Sequence, residues 1–275
     1  VTSFKTTTKV RETFRRKGIL GEGERTVPEE TPVAFSYGGS THAVMMATPA
    51  DLEDFAVGFS LTEGIVTNGG EIEEIGIEAS EIGIDLQIRL VDERNDRLVA
   101  RRRHMAGPVG CGLCGIESIE EAVRPTPAVN TSPLRMREND IVAAVAELGA
   151  RQPLHFETRA VHGAGFYVPG KGIVAVREDV GRHNALDKLI GAIARAGYPG
   201  RDGAIVVTSR VSVEMVQKTA IIGSPVIIAI SAPTALAIRA ADKAGMTLVA
   251  LVRGDDFEIF TQNDRISAGA AADVA

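Results

Sequence analysis

Tryptophan is absent from this 275-residue chain, and nine phenylalanines and three tyrosines make up the rest of its aromatic side chains. That leaves few rings on which nucleobases could stack. Positive charge is not in excess either. The formal net charge is −6, which argues against a broad nucleic-acid footprint and leaves room only for a local basic patch. No apolar run approaches the roughly 20 residues of a membrane-spanning helix. The stretch 1–18 is basic but lacks the apolar core of a secretory signal. Only two cysteines are present, too few for a disulfide framework, which points to a reducing compartment and makes cytoplasm the expected location. What remains is ordinary for a globular protein: 44% apolar and 24% charged residues, in a chain long enough for one large domain or two smaller ones.

The first half reads as mostly β. A strand is expected over Phe4–Val10, followed by a loop. Residues 32–38 and 42–47 flank Gly38-Gly39-Ser40 and read as a hairpin. Thr48-Pro49-Ala50-Asp51 has the form of a helix start, with Thr48 as N-cap. Leu52, Phe55, Ala56 and Phe59 then give that helix one buried face, and Gly64 ends it. Segments 71–78, 84–90 and 97–103 read as strands, 101–116 as a long loop, and the proline-bearing 124–135 as a linker. In the second half, short apolar runs alternate with helical patterns. Strands are expected at 173–176, 204–207, 226–230 and 248–252. Helices are expected around Ile141–Leu148 and Leu186–Ile193, and over 212–222 and 233–244. This alternation predicts βαβ crossovers on a largely parallel sheet. The expected division is a β-rich subdomain over 1–120 and an α/β subdomain over 121–275.

Ligands of open α/β sheets lie beyond the carboxyl ends of the strands. The residues that follow the expected strands are Arg177-Glu178-Asp179-Val180-Gly181-Arg182-His183-Asn184, then Thr208-Ser209-Arg210, then Ser231, then Arg253-Gly254-Asp255-Asp256. Arginine's planar fork suits phosphate, and helix N-termini beginning here favour anions. A phosphate-bearing ligand, such as a nucleotide, is the natural expectation. Taken one at a time, such residues are commonly caps or surface ion pairs. Asp187 and Lys188, one turn into their helix, are expected at the surface.

The two cysteines stand together, in Gly110-Cys111-Gly112-Leu113-Cys114-Gly115. The glycines let another molecule approach the sulfurs. Three chemistries use a pair spaced this way. Zinc takes three or four protein ligands, and although His104, His162 and His183 are available, none stands at finger or ribbon spacing. Dithiol redox favours C-x-x-C at a strand-to-helix turn, whereas this pair follows an antiparallel-looking region. Sulfur carriage needs an exposed thiolate that can take up a sulfur atom as a persulfide and hand on the outer sulfur. Arg101, Arg102, Arg103 and His104 lie close in sequence and could supply a positive field.

These residues resemble a known family. The CGLCG loop, TPADLEDFAVGFSLTEGIV, EDVGRHNALDKLIG and the run from SRVSVEMVQKTAIIGSP to FEIFTQNDRI are similar, in the same order, to the formate dehydrogenase accessory protein, or FdhD, family over roughly 30–266. The resemblance implies a sulfurtransferase. It would accept sulfur from a cysteine desulfurase as a persulfide and deliver it to the molybdenum cofactor, bis(molybdopterin guanine dinucleotide), before that cofactor enters apo-formate dehydrogenase. Cys111 matches the persulfide carrier and Cys114 its neighbour. The family's guanine-nucleotide contacts map onto Leu251, Val252, Arg253, Gly254, Asp255 and Asp256; from the strand-end reading above, Arg182, His183, Ser209 and Arg210 are expected to complete the cofactor site. A guanine nucleotide would serve as a surrogate ligand. The implied fold of the second half is an αβα sandwich like that of cytidine deaminase but without its zinc, beside the smaller, mostly β N-terminal subdomain, and the implied assembly is a homodimer with no nucleic-acid or membrane partner. A cofactor-binding chaperone without sulfur chemistry is the competing reading. Glu63, His162 and Asp179 are candidates for proton transfer. The chain departs from the family pattern at Thr158-Arg159-Ala160-Val161-His162, where two glycines are missing, and at Thr261-Gln262-Asn263, where a His-Pro is usual.

Overall fold

Residues 4–94 and 125–268 are described in the structure, a computed structural model. The expected strand 97–103 and the cysteine loop with Cys111 and Cys114 lie outside them. The chain does not open with one short strand. β1 (Thr7–Arg16) and β2 (Ile19–Pro28) form a long antiparallel hairpin that turns at Lys17 and Gly18, whose φ angles are 50° and 87°. Two positive φ values are what a tight hairpin turn matching strand twist requires. The hairpin is largely exposed, so no buried alternation marked it in the sequence.

β3 (Thr31–Tyr37) and β4 (Ser40–Ala47) form the expected hairpin. With β5 (Ile72–Ala79) and β6 (Ile84–Leu90) they make a four-stranded sheet of order β4-β3-β6-β5. α1 (Leu52–Thr62) covers one face of this sheet, bringing Phe55 and Phe59 to 4.9 and 4.0 Å from the Phe35 ring. The helix starts later than Thr48-Pro49 suggests. Asp51 is its N-cap residue, at φ 54°, and Thr48 has another role described below.

Next come β7 (Met136–Arg137), α2 (Glu138–Ala150), α3 (Pro153–Thr158), β8 (His162–Val168), β9 (Gly172–Asp179) and α4 (Arg182–Arg195). They are followed by β10 (Ala204–Val207), α5 (Val213–Ile221), β11 (Val226–Ala229), α6 (Ala235–Ala244), β12 (Thr247–Arg253), β13 (Asp256–Thr261) and β14 (Ile266–Ser267). The main sheet has the order β13-β12-β11-β10-β8-β9. Only β10, β11 and β12 are mutually parallel; β8, β9 and β13 run antiparallel to their neighbours. The expectation of a largely parallel sheet is therefore corrected to a mixed one. The βαβ crossovers hold for β10-α5-β11-α6-β12. The short β8–β9 and β12–β13 connections can join only antiparallel strands.

Alternation sorts the sheet's side chains onto two faces. Ile205, Val207, Ile227, Ala229 and Leu248 pack with Leu189, Ile193, Met215 and Ala241 of α4, α5 and α6. Val206, Ile228 and Val249 pack with Ile141, Ala144 and Leu148 of α2. Helices thus cover both faces, as in an αβα sandwich. The first of these cores continues through α1 into the four-stranded sheet. α1 and α4 meet backbone to backbone. A Cβ on Gly58 would lie 1.7 Å from the Asp187 carbonyl oxygen, and one on Gly191 would lie 1.9 Å from that of Asp54. Only glycine allows the two helices this approach.

Candidate functional site

β9 and β10 are both antiparallel to β8, so they point the same way, and β10, β11 and β12 are parallel. The carboxyl ends of β9 to β12 therefore open onto one edge, as the sequence predicts. Each expected cofactor residue of the second half can be placed there. Arg182 is the first residue of α4, and its buried Nε has no hydrogen-bond partner. His183 follows, with Nε2 2.7 Å from Glu214 Oε2 and 3.5 Å from Ser212 Oγ at the start of α5. Ser209 is buried and its hydroxyl donates to the Arg210 carbonyl (3.1 Å), while Arg210 itself is exposed. Leu251 has φ 56°, an uncommon value for a branched side chain, at an irregularity in the β12–β13 pairing. Val252 is buried, and Arg253, Gly254, Asp255 and Asp256 form the exposed turn that follows. Arg182, Arg210 and Arg253 join no ion pair among the described residues.

Beneath this edge the charges are saturated. Asp179 ends β9 fully buried. Its Oδ2 accepts from Lys188 Nζ (2.6 Å) and the Thr48 N–H (3.0 Å), and its Oδ1 accepts from the Gly181 N–H (2.7 Å) and Asn184 Nδ2 (3.0 Å). Lys188 also donates to the Thr48 carbonyl (2.8 Å), and the Val180 N–H donates to the Thr48 hydroxyl (3.2 Å). Thr48 is thus a strut under the strand ends, not a helix cap. With all its acceptor directions taken, Asp179 holds the β9–α4 turn in place.

Asp187 and Lys188 are 1% and 0% exposed, which corrects their expected surface placement. Asp187 receives Lys218 Nζ on both oxygens (2.9 Å each) and the Thr62 hydroxyl (2.8 Å). Lys218 also reaches Glu63 Oε1 (3.1 Å). Burial pushes the Asp187 carboxyl above its usual range, against the pull of Lys218. Burial alone would depress the Lys218 ammonium, but the Asp187 and Glu63 carboxylates outweigh it and hold it above its ordinary value. Farther along the seam, Asp54 takes Arg177 (2.8 and 2.6 Å) and Arg195 (2.5 Å). A Leu-rich helix pattern gave no hint that α4 would bury charge on the face it turns to α1.

Two imidazoles stand at the edge. Burial holds His183 below its ordinary pKa of 6.5, and the Glu214 carboxylate only partly offsets this. Burial, then the Arg182 charge, lowers His162, the first residue of β8, which pairs with Asp179 across the ladder. At neutral pH both present neutral rings. Glu214 is the partner that sequence reading misses. Nothing in helix periodicity distinguishes an acid in the first turn of α5 that orients a histidine from one that simply favours the helix dipole. Among the described residues no three His, Cys, Asp or Glu side chains group as metal ligands. A cavity of about 590 Å³ runs beside β9, lined by Asp51, Arg151, Leu154, Val176, Arg177 and Glu178 among others, and none of the three unpaired edge arginines lines it.

The class that emerges is a mixed α/β protein with one cation-bearing strand-end edge, and no described helix is long and apolar enough to cross a membrane. A profile of the FdhD/NarQ family matches residues 28–267, and the chain belongs to that family. It is 66% identical over 258 residues to the sulfur carrier protein FdhD of Agrobacterium fabrum, covering 94% of this chain and 95% of that one. It is 58% identical to the protein of the same name from Brucella abortus, covering 97% of this chain and 99% of its relative. Among solved structures it is similar to a candidate formate dehydrogenase accessory protein of Desulfotalea psychrophila, with 27% identity, a TM-score of 0.76 and coverage of 96% and 100% of the two chains.

Proposed function

We propose that this chain is a cytoplasmic sulfurtransferase for formate dehydrogenase maturation. Cys111 accepts sulfur from a cysteine desulfurase: its thiolate attacks the outer sulfur of the desulfurase persulfide, a new S–S bond forms on Cys111, and the desulfurase thiolate leaves. The outer sulfur then passes to bis(molybdopterin guanine dinucleotide), the cargo destined for apo-formate dehydrogenase. Cys114 relays sulfur or releases it through a Cys111–Cys114 disulfide, which a thiol reductant must later reopen. Two copies of the chain act together. The observation that carries the reading is the agreement between relatives named as sulfur carriers and a chain whose only two thiols are spaced as a pair.

The strand-end edge supports the acceptor half of the reaction. Phosphates of the cofactor would lie on Arg182, Arg210 and Arg253, near Ser209 and His183. Guanine would lie along Leu251 to Asp256, where the left-handed Leu251 turns the backbone at the strand end. Arginine forks left without carboxylate partners are suited to phosphate.

The test is mass spectrometry after incubation with a cysteine desulfurase and cysteine. One added sulfur is expected on the peptide containing 111–114, and none in Cys111→Ala, together with loss of formate dehydrogenase activation. Unchanged activation by Cys111→Ala would leave cofactor carriage without sulfur chemistry as the function.

A further inference from the structure

β9 is the last strand of the six-stranded sheet, with β8 on one side and no strand of that sheet on the other. The ladder shows which of its backbone groups are left over. The Gly163 N–H donates to the Thr208 hydroxyl (3.0 Å) and the Gly163 carbonyl accepts the Thr208 N–H (3.1 Å), so Gly163 turns toward the end of β10 and away from β9. Opposite residues of an antiparallel pair turn toward or away from each other together, and the two kinds of pair alternate along the strands. Glu178 opposite Gly163, and Val176 opposite Gly165, therefore turn their backbone N–H and C=O groups to the outer edge. Side chains close this edge at both ends. Glu147 and Arg151 take the Ile173 N–H and carbonyl, and the Thr48 hydroxyl takes the Val180 N–H. Between these plugs the Val176 carbonyl meets the Arg177 guanidinium (2.7 Å), and the Val176 N–H and both backbone groups of Glu178 meet no partner among the described residues. The cavity of about 590 Å³ lies along this open stretch, and Ala192 and Ala196 from the end of α4, which also line it, take up little of its width. Its charges are unevenly placed. Arg151 stands at the Ile173 end. At the Glu178 end Arg177 is matched by Asp54, and Asp51, 3.4 Å from Arg177, keeps its side chain 40% exposed. With Glu157, carboxylates outnumber guanidiniums in the lining three to two, which favours a ligand with a cationic group. An unpaired strand edge is a template for another chain.

We propose that this cleft takes an extended peptide segment of a partner protein as a further strand, antiparallel to β9, with a lysine or arginine toward Asp51 and Glu178 and an acidic residue toward Arg151. Backbone bonds to Val176 and Glu178 hold the segment, the charges at the two ends set its direction, and the plugs at Ile173 and Val180 limit it to a few residues. The cleft is separate from the strand-end arginines, none of which lines it, and the inference does not depend on sulfur transfer.

The test is binding of a short fluorescent peptide to the full chain, read by anisotropy and by amide hydrogen exchange. The peptide alternates valine and threonine, with lysine near its amino end, glutamate near its carboxyl end and both termini blocked. Saturable binding is expected, with exchange slowed at the Val176 and Glu178 amides. Of two forms N-methylated on alternate amides only one should bind, because an added strand turns every second amide to its neighbour. Arg151→Glu should weaken binding about tenfold or more, the size of a lost charge-assisted hydrogen bond, and a peptide with lysine in place of the glutamate should recover it. Val176→Pro removes an outward N–H and no bond to β8, so it should weaken binding while circular dichroism stays unchanged. The absence of saturable binding, equal binding of the two methylated forms, or protection confined to another part of the chain would overturn the proposal. So would a fall in molar mass of Val176→Pro without peptide, which would assign the edge to a second copy of this chain. None of these readouts involves sulfur, so each leaves the Cys111 reading to its own experiment.

Discussion

The charges on the strand-end edge and those in the α1–α4 seam just beneath it follow opposite rules. In the seam every buried ion has its opposite: Asp179 with Lys188, Asp187 with Lys218, Asp54 with Arg177 and Arg195. On the edge, Arg182, Arg210 and Arg253 have none among the described residues. Arg182, Asp187 and Lys188 all lie in the first two turns of α4, so there the difference is not one of local composition. Charges that the fold needs are consumed by the fold, and charges left over at a strand end are available to a ligand. The contrast also assigns roles inside the EDVGRHNALDK stretch: Asp179, Asn184, Asp187 and Lys188 build, while Arg182 joins no ion pair among the described residues and His183 meets Glu214 at the edge.

Removing a seam charge should be the most damaging change. Lys188→Met leaves Asp179 buried with no counter-ion, and breaking such a pair costs about 3–5 kcal/mol. For a protein of this size that corresponds to a fall in melting temperature of order 10 °C. Calorimetry on the variant checks it, and a shift of less than a few degrees would mean that the Thr48, Gly181 and Asn184 donors alone suffice to hold Asp179.

The edge should behave in the reverse way. Arg253→Ala removes an exposed guanidinium that joins no ion pair among the described residues, so stability should move by no more than about 0.5 kcal/mol, as for ordinary surface changes, and Arg182→Ala removes one whose buried Nε has no hydrogen bond to lose. Binding of a guanine nucleotide diphosphate, measured by titration calorimetry, should weaken about tenfold or more, the size of one charge-assisted hydrogen bond. Equal affinity in the variants would remove these arginines from the cofactor site and reduce the edge to a set of helix starts.

This division was only half legible in the sequence. Apolar runs at 204–207 and 226–230 mark the central strands because fully buried strands are continuous blocks of β-branched residues. Their polar successors then identify the edge. The β8 strand, HGAGFYV, escaped notice because its glycines interrupt the pattern. Those glycines are there for packing: a Cβ on Gly163 would lie 2.0 Å from the Gln152 side chain. The buried ion pairs were not legible at all. Asp187 and Lys188 read as surface residues because the face of α4 that carries them is covered by α1, an element more than a hundred residues earlier, and no local pattern records a partner that distant. The same blindness hid Glu214 behind His183.

The smallest effect expected is also the one that joins the two regions. His162 and His183 are held below 6.5 in the folded protein, mainly by burial. In the unfolded chain they take up protons near pH 6.5, while the folded protein resists until a lower pH. The stability they permit is therefore present in full above about pH 6.5 and is lost as pH falls from there toward the folded values. Denaturant titrations across that range should show this decline, and His162→Gln/His183→Gln should flatten it. A phosphate bound among these imidazoles would favour their protonated forms and raise both folded pKa values. Guanine nucleotide should then bind more tightly as pH falls through 6.5, and its presence should reduce the acid loss of stability in the unaltered protein but not in the double variant. If the nucleotide leaves the acid limb unchanged, the histidines belong with the paired charges of the seam, and the edge begins at the arginines alone.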